Sequence, residues 1–273
     1  MKTMLHTITA LIVLAVCQTA QAASAVGTYY IGLDNADTIT YQGSDYVGMA
    51  NPNKGRLSML LAHGNHYHGI GTYDYTGPAN AAVVTDTNGN NRLPETYTTL
   101  PPVSLKPGSG AFLGKFRSGL ESDLPQDVAY GDFKIQNVHS LSGVDDVLYN
   151  SSGNRWNALF ASAHIHISLL SATDGLNIAL GNTPTQSLTV GGDAHLGDGF
   201  ENFEFLPTFW VDGDAAIGST YTAEFMLNDV SGNFEDSGRF FVDVQVVPEP
   251  LSCALLAVGG GAVMMRRKRQ RII

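Results

Sequence analysis

Histidines are the residues in this chain whose type and spacing are best suited to chemistry. Of the eight histidines among 273 residues, six fall in three short segments of the central part of the chain. Neutral imidazole binds borderline divalent ions such as zinc, copper and nickel, so this clustering predicts a metal site. The six candidate ligands are His63, His66, His68, His164, His166 and His195.

The spacing within two of these segments favours a shared ion. His164 and His166 lie in an apolar, alternating run, and residues two apart on a β-strand point to the same face, about 6.6 Å apart. Two imidazoles at that spacing can lean onto one ion at metal–nitrogen distances of about 2.0–2.1 Å. His66 and His68 have the same spacing. The alternative for His164 and His166 is the polar face of an edge strand, without a metal.

His195 lies among carboxylates. Asp193, Asp198 and Glu201 are close to it in sequence, and each can orient an imidazole or supply an oxygen ligand. A single zinc site needs three or four protein ligands. The six histidines therefore fit either one metal site, with the remaining histidines not bound to the ion, or two separate sites.

The metal is expected to be zinc, with copper as the competitor. Cys17 and Cys253 both lie in the end segments, so the central region offers no thiolate ligand and forms no disulfide of its own. A set of imidazole and carboxylate ligands suits both ions.

A second, weaker metal signal lies in the segment Asp86-Thr-Asn-Gly-Asn-Asn-Arg-Leu-Pro-Glu95. Its oxygen-bearing side chains resemble the start of a calcium loop, with Asp86, Asn88, Asn90 and Glu95 as candidate ligands. That pattern expects glycine at the sixth position and an acidic residue at the twelfth. This segment has Asn91 at the sixth position and its acidic residue at the tenth. These departures favour a turn rich in Asx side chains, with the calcium site as the alternative.

Motifs typical of enzymes are absent from the sequence. There is no Gly-x-Ser-x-Gly nucleophile elbow, no His-Glu-x-x-His zinc motif and no phosphate-binding glycine loop. The sequence therefore predicts a protein that is not an enzyme. A zinc hydrolase with three protein ligands and a bound water is the third functional hypothesis.

Charge argues against a nucleic-acid-binding role. The formal net charge is −10. Six of the 15 basic residues lie outside residues 23–250, which leaves nine within that range against 25 acidic residues. Such an acidic surface repels phosphate backbones and attracts cations without selecting among them.

The two ends of the chain are typical of export signals. Residues 1–22 have a basic start, an apolar stretch and a small-x-small cleavage site that ends at Ala22, as in a secretory signal peptide. At the other end, Pro248-Glu249-Pro250 precedes an apolar segment, 251–265, and a basic tail. A helix over that segment would be about 22 Å long, less than a hydrocarbon core of about 30 Å. This length predicts transient membrane contact, with an ordinary tail anchor as the alternative.

The central region, residues 23–247, has the pattern of an all-β protein. Short runs of alternating apolar residues are separated by clusters of Gly, Asn, Asp and Pro, as expected of an antiparallel β-sandwich. The clearest run covers residues 239–247, where every second residue from Phe240 to Val246 is apolar and predicts a half-buried strand. Residues 94–107 are rich in proline and threonine and are a candidate link between two sheets or subdomains.

The carboxyl end, residues 248–273, resembles the PEP-CTERM sorting signal of exported proteins. The string Ala62-His-Gly-Asn-His-Tyr-His-Gly-Ile-Gly, with the segment that starts at Asp86 and with Gly192-Asp-Ala-His, also resembles a Zur-repressed PEP-CTERM family. The resemblance covers nearly all of the central region. It implies processing near Pro248 by an exosortase, expression under zinc limitation, and a role in zinc acquisition or homeostasis.

Together these features predict an exported protein that captures or buffers zinc. We expect it at the periplasm, outer surface or extracellular matrix of a Gram-negative-type bacterium, tethered to the membrane at first. A zinc uptake system and exopolysaccharide are candidate partners. The alternative is a structural, adhesive or carbohydrate-binding matrix protein, because export of the PEP-CTERM type accompanies exopolysaccharide production.

Overall fold

The computed structural model describes residues 29–41, 43–96, 101–119 and 133–248. Three predicted processing residues, Ala22, Glu249 and Pro250, lie outside the described residues. The signal peptide, the apolar segment 251–265 and the basic tail lie outside them as well. Pro248 is the last described residue and is exposed.

The described chain is mostly β-structure, which confirms the predicted fold class, and its two large sheets form a sandwich. The first sheet has five strands. In spatial order they are β14 (Glu204–Phe205), β9 (Ile135–Asn137), β1 (Tyr29–Leu33), β2 (Leu57–His63) and β3 (His66–Ile70).

The second sheet has ten strands. Nine of them follow one another in the order β12 (Ser187–Leu188), β11 (Asn177–Ala179), β15 (Thr208–Asp212), β8 (Lys115–Arg117), β7 (Val103–Pro107), β17 (Phe240–Val246), β16 (Thr220–Asp229), β10 (His164–Ala172) and β13 (Asp193–Asp198). The tenth strand, β6 (Arg92–Leu93), pairs with β17.

A small ribbon and short helical turns complete the described elements. The ribbon consists of β4 (Asp74–Thr76) and β5 (Val83–Thr85), and the α-helices are α1 (Asp146–Tyr149) and α2 (Ser151–Asn154). Three 3-10 turns cover Ala79–Ala81, Gly110–Phe112 and Val138–Leu141. Within the described ranges, no helix has the length and apolar character needed to cross a bilayer.

Most of the described strand pairs are antiparallel, as the sequence pattern predicts, and three are parallel. β1 pairs in parallel with β9, and β17 pairs in parallel with both β6 and β7. Parallel pairing needs a long connection between the strands, and alternation along one strand does not reveal it. The segment 94–107 begins directly after β6 and ends with β7. Both strands pair with β17, so the described part of this segment stays within one sheet.

Alternation along β10 separates the core from the surface. Ile165, Ile167 and Leu169 are buried, whereas His164 and His166 are half-buried. Because successive side chains of a strand point to opposite faces, burial of the apolar residues places both histidines on the outer face of the sheet.

One hydrophobic cluster joins the two large sheets. It contains Ile31 and Leu60 from the five-stranded sheet and Phe225, Phe240 and Val242 from the ten-stranded sheet, all buried. The rings of Phe225 and Phe240 stack with centroids 5.8 Å apart, an arrangement that adds to the gain from burial. This cluster packs against the inner face of β10 and β16, opposite the face that carries His164 and His166.

We expect Phe225→Ala to lower the free energy of unfolding by about 3–5 kcal/mol, because it removes a buried ring and leaves a cavity. Urea denaturation followed by circular dichroism measures the change. Phe200→Ala is the matched control: that side chain is 68% exposed, and its loss should change the free energy by less than about 0.5 kcal/mol. Equal effects of the two substitutions would contradict the described core.

His139 is the histidine of the central region that lies outside the three clustered segments. It lies in the 3-10 turn Val138–Leu141, where its ring packs against Phe160 with centroids 5.0 Å apart. Its Nδ1 is 3.2 Å from the Tyr149 hydroxyl. Burial lowers the pKa of His139 below its ordinary value of 6.5, against an opposing hydrogen bond to the Ala158 carbonyl.

This lowered pKa predicts a loss of stability in mild acid. The unfolded chain takes up a proton near pH 6.5 while the folded chain keeps His139 neutral, so stability falls as the pH drops from 6.5 towards the lowered folded pKa. We expect His139→Gln, which does not titrate, to lose less stability than the parent protein between about pH 7.5 and 5.5. Urea denaturation at both pH values measures this, and identical pH dependence of the two proteins would contradict it.

Candidate metal centre

Three imidazoles meet on the outer face of β10 and β13. The antiparallel register places His166 opposite His195 and His164 opposite Asp198. Ring centroids are 4.2 Å apart for His164 and His195, 5.0 Å for His164 and His166, and 5.3 Å for His166 and His195. Two of the three predicted segments therefore come together, at a terminal strand of the ten-stranded sheet.

A β-bulge in β13 brings His195 and Asp198 to the same face. On a regular strand, residues three apart point to opposite faces. Here the register with β10 shifts by one residue, and Leu196 and Gly197 are both buried in succession. The extra residue of a bulge resets the alternation, so His195 and Asp198 both face outwards.

Asp198 lies between two imidazoles. Its Oδ1 contacts Nδ1 of His164 and is 3.6 Å from Nε2 of His195. One nitrogen or oxygen atom from each of the three side chains lies within 4.8 Å of the others, so small side-chain shifts would bring all three to the spacing of about 3.3 Å that ligands of one tetrahedral zinc ion have. The hydrogen bond with His164 lowers the pKa of Asp198. The carboxylate is therefore ionised at neutral pH and can serve as an oxygen ligand.

His166 is the least exposed histidine of this group. Its side chain is 16% exposed, and among the described residues neither ring nitrogen has a hydrogen-bond partner. Nδ1 is 3.2 Å from Oδ1 of Asp193, but outside hydrogen-bonding geometry. A buried polar group without a partner costs about 1–3 kcal/mol. Coordination of an ion by His166 would remove that cost.

Asp229 fixes the start of β10. Its Oδ1 accepts hydrogen bonds from the backbone amide of His164 at 2.7 Å and from Ser231, and its Oδ2 accepts from the amides of Asn233 and Phe234 at 2.9 and 3.0 Å. Burial by itself raises the pKa of Asp229, but these hydrogen bonds outweigh it and lower the pKa. The ionised carboxylate thus ties the turn after β16 to the first ligand-bearing residue.

The turn that follows Asp198 is fixed by close packing of the backbone. A Cβ atom at Gly199 would lie 1.8 Å from the carbonyl oxygen of Phe160, so a side chain cannot be accommodated there. The amide of Gly199 donates a hydrogen bond to the carbonyl of Ala163 at 2.9 Å. These contacts with the segment that precedes β10 fix the backbone directly after Asp198.

The third predicted segment lies on the other large sheet. His66 and His68 are on β3, with their Nε2 atoms 3.0 Å apart. His63 ends β2 and is paired with His66 in the backbone register. The histidines thus form two groups on two sheets, a division that sequence spacing alone left open.

The candidate calcium ligands have separate partners. Asp86 forms a bidentate ion pair with Arg239, at 2.8 and 3.0 Å, which lowers the pKa of the carboxylate. Asn88 accepts a hydrogen bond from the amide of Asn90, as in an Asx turn. Glu95 contacts His68 through its Oε1 atom, 3.1 Å from Nδ1.

Glu201 lies in the exposed turn after β13. Its carbonyl accepts a hydrogen bond from Asn137 at 2.7 Å. Among the described residues, its carboxylate is not part of the group whose ligand atoms converge.

Sequence reasoning missed two features of this site, Asp229 and the bulge. An aspartate two residues before Ser231-Gly232-Asn233 is a turn signal, so the role of Asp229 could have been found. The bulge depends on the pairing of β13 with β10, and no local residue pattern announces it.

Asp229→Asn should lower the free energy of unfolding by about 1–3 kcal/mol, because an amide nitrogen replaces one acceptor oxygen and leaves buried amides unpaired. Chemical denaturation at neutral pH measures the change. Asp214→Asn is the matched control, because Asp214 is exposed. If both variants were as stable as the parent protein, Asp229 would not anchor β10.

Comparisons with known proteins found no relative of this chain. No family model matches the chain, and no curated protein or solved structure is significantly similar to it. The interpretation of the site therefore depends on its geometry, and the sequence resemblance stays a prediction.

Proposed function

We propose that this protein binds a zinc ion through His164, His195 and Asp198, with His166 as an additional ligand. The observation that carries the proposal is the convergence of their ligand atoms on one face of the sheet. Two strands far apart in the chain supply these residues, and both strands are fixed by burial of their opposite face.

The chemistry of the ligands favours zinc. Imidazole nitrogen and carboxylate oxygen are common zinc ligands, and zinc accepts tetrahedral sets of four. Copper is the competitor because it binds most nitrogen and oxygen sites more tightly than zinc. Its availability to an exported protein decides between the two ions as much as affinity does.

We place this binding in zinc capture or buffering at the cell envelope, without catalysis. The export signals predicted at both ends of the chain support the location. The sequence resemblance to a zinc-repressed family supports the physiological setting. The excess of acidic residues supports general attraction of cations towards the surface. Exosortase processing and a zinc uptake partner belong to the same proposal.

The test is zinc titration of purified protein that has first been stripped with a chelator. We expect His164→Ala/His195→Ala to weaken zinc binding at this site by more than about 100-fold, since loss of an outer partner alone costs about 10–100-fold. Calorimetry in competition with a chelator of known affinity measures the loss, and a parallel titration with copper ranks the two ions.

His139→Gln is the matched control for this experiment. It removes an imidazole that lies outside both histidine groups and should leave zinc affinity unchanged. If the double variant bound zinc at the parent stoichiometry and affinity, His164 and His195 would not be ligands.

A further inference from the structure

The hairpin of β2 and β3 carries a second pair of imidazoles. β3 alternates so that Tyr67 is buried while His66 and His68 are half-buried on the opposite face. Gly64 occupies the turn with a φ of 69°, a conformation that favours glycine. The turn and the alternation together set both imidazoles side by side, with ring centroids 4.9 Å apart.

The Nδ1 atom of each ring faces an oxygen that only accepts hydrogen bonds. Nδ1 of His68 is 3.1 Å from Oε1 of Glu95, whose side chain is 3% exposed. Nδ1 of His66 is 3.1 Å from the amide oxygen of Asn65. Carboxylate and amide oxygens accept hydrogen bonds, so these two contacts favour the tautomer of each ring that carries its proton on Nδ1.

This assignment directs two lone pairs at each other. With Nδ1 protonated, Nε2 of a neutral imidazole is an acceptor, and the two Nε2 atoms of His66 and His68 are 3.0 Å apart. Two lone pairs at that separation repel, and a cation between them, either a proton or a metal ion, removes the repulsion. Two nitrogens bound to one tetrahedral zinc ion at 2.0–2.1 Å are about 3.3 Å apart, close to the spacing described here.

We propose that His66 and His68 form a second metal site, which binds a divalent transition-metal ion such as zinc through their two Nε2 atoms. Glu95 is a positioning residue that fixes the tautomer of His68. This site lies on the five-stranded sheet and does not depend on the site at His164.

Glu95 gives the second site a link between the sheets. It follows β6, which pairs with β17 of the ten-stranded sheet, whereas His68 belongs to the five-stranded sheet. A carboxylate that orients a metal-bound imidazole raises the basicity of that ligand. Metal binding at His68 would therefore also strengthen the contact between His68 and Glu95, which joins the two large sheets.

The test uses His164→Ala/His195→Ala protein, in which the first site is removed. After treatment with a chelator, calorimetric titration with zinc should show one ion bound per chain, and the further substitutions His66→Ala and His68→Ala should abolish that binding. Absence of zinc binding in the double variant would overturn the second site. Persistence of binding in the quadruple variant would overturn it too.

A measurement on the parent protein covers the case in which a variant fails to fold. Imidazole nitrogen resonances should show Nδ1–H tautomers for both His66 and His68, and zinc should shift both Nε2 signals. If the pair instead shared a proton and its Nε2 signals did not respond to zinc, the proposal would be wrong.

Glu95→Gln tests the positioning role, again with the first site removed. We expect zinc affinity to fall about 10–100-fold and the tautomer of His68 to become mixed, because the new amide can donate to Nδ1. Glu235→Gln is the matched control, since that side chain is 71% exposed. Unchanged affinity and tautomer in Glu95→Gln would remove Glu95 from the site.

The two sites can fail separately. Loss of all zinc binding in His164→Ala/His195→Ala protein leaves the first site standing and refutes the second. Parent affinity and stoichiometry in that variant, combined with loss of binding in His66→Ala/His68→Ala protein, refutes the first site and supports the second.

Discussion

The two-residue alternation of β10 is the constraint on which the candidate metal centre depends. Ile165 and Ile167 are nearly inaccessible in the core between the sheets, and their burial determines where the histidines between them point. A shift of one residue in register would expose the isoleucines and bury the imidazoles. The free energy that positions the candidate ligands is therefore hydrophobic and comes from burial of the opposite face of the strand.

Three carboxylates hold in place the histidines that strand alternation directs away from the core. Asp198 contacts His164 on the outer face, Asp229 holds the backbone of His164 at the start of the strand, and Glu95 orients His68 on the other sheet. The three carboxylates act in different ways. Asp198 is itself a candidate ligand beside His164, Asp229 binds a backbone amide, and Glu95 contacts the ring nitrogen of His68 that faces away from His66. Such supporting contacts would lower the cost of ordering the candidate ligands on an ion.

Much of the fold was predictable from local patterns, and less of the site was. Alternation in residues 240–246 identified β17 and its buried face, and the apolar run around His164 identified β10. The parallel pairing of β17 with β6 and β7 was not predictable, because it depends on contacts distant in sequence. The spacing of His164 and His166 indicated a common face, but their meeting with His195 requires the register and bulge of β13. The sequence pattern makes Glu95 only a candidate calcium ligand, because no local signal shows that it reaches His68.

The close approach at Gly199 limits how this protein can change over evolutionary time. Because the Phe160 carbonyl fills the space where any side chain would begin, the path of the chain after Asp198 is not open to gradual alteration. Replacement of the candidate ligands would change the chemistry of the site without altering the loop that presents the carboxylate. Homologues with another residue at this position would have to present their acidic group from a differently routed loop.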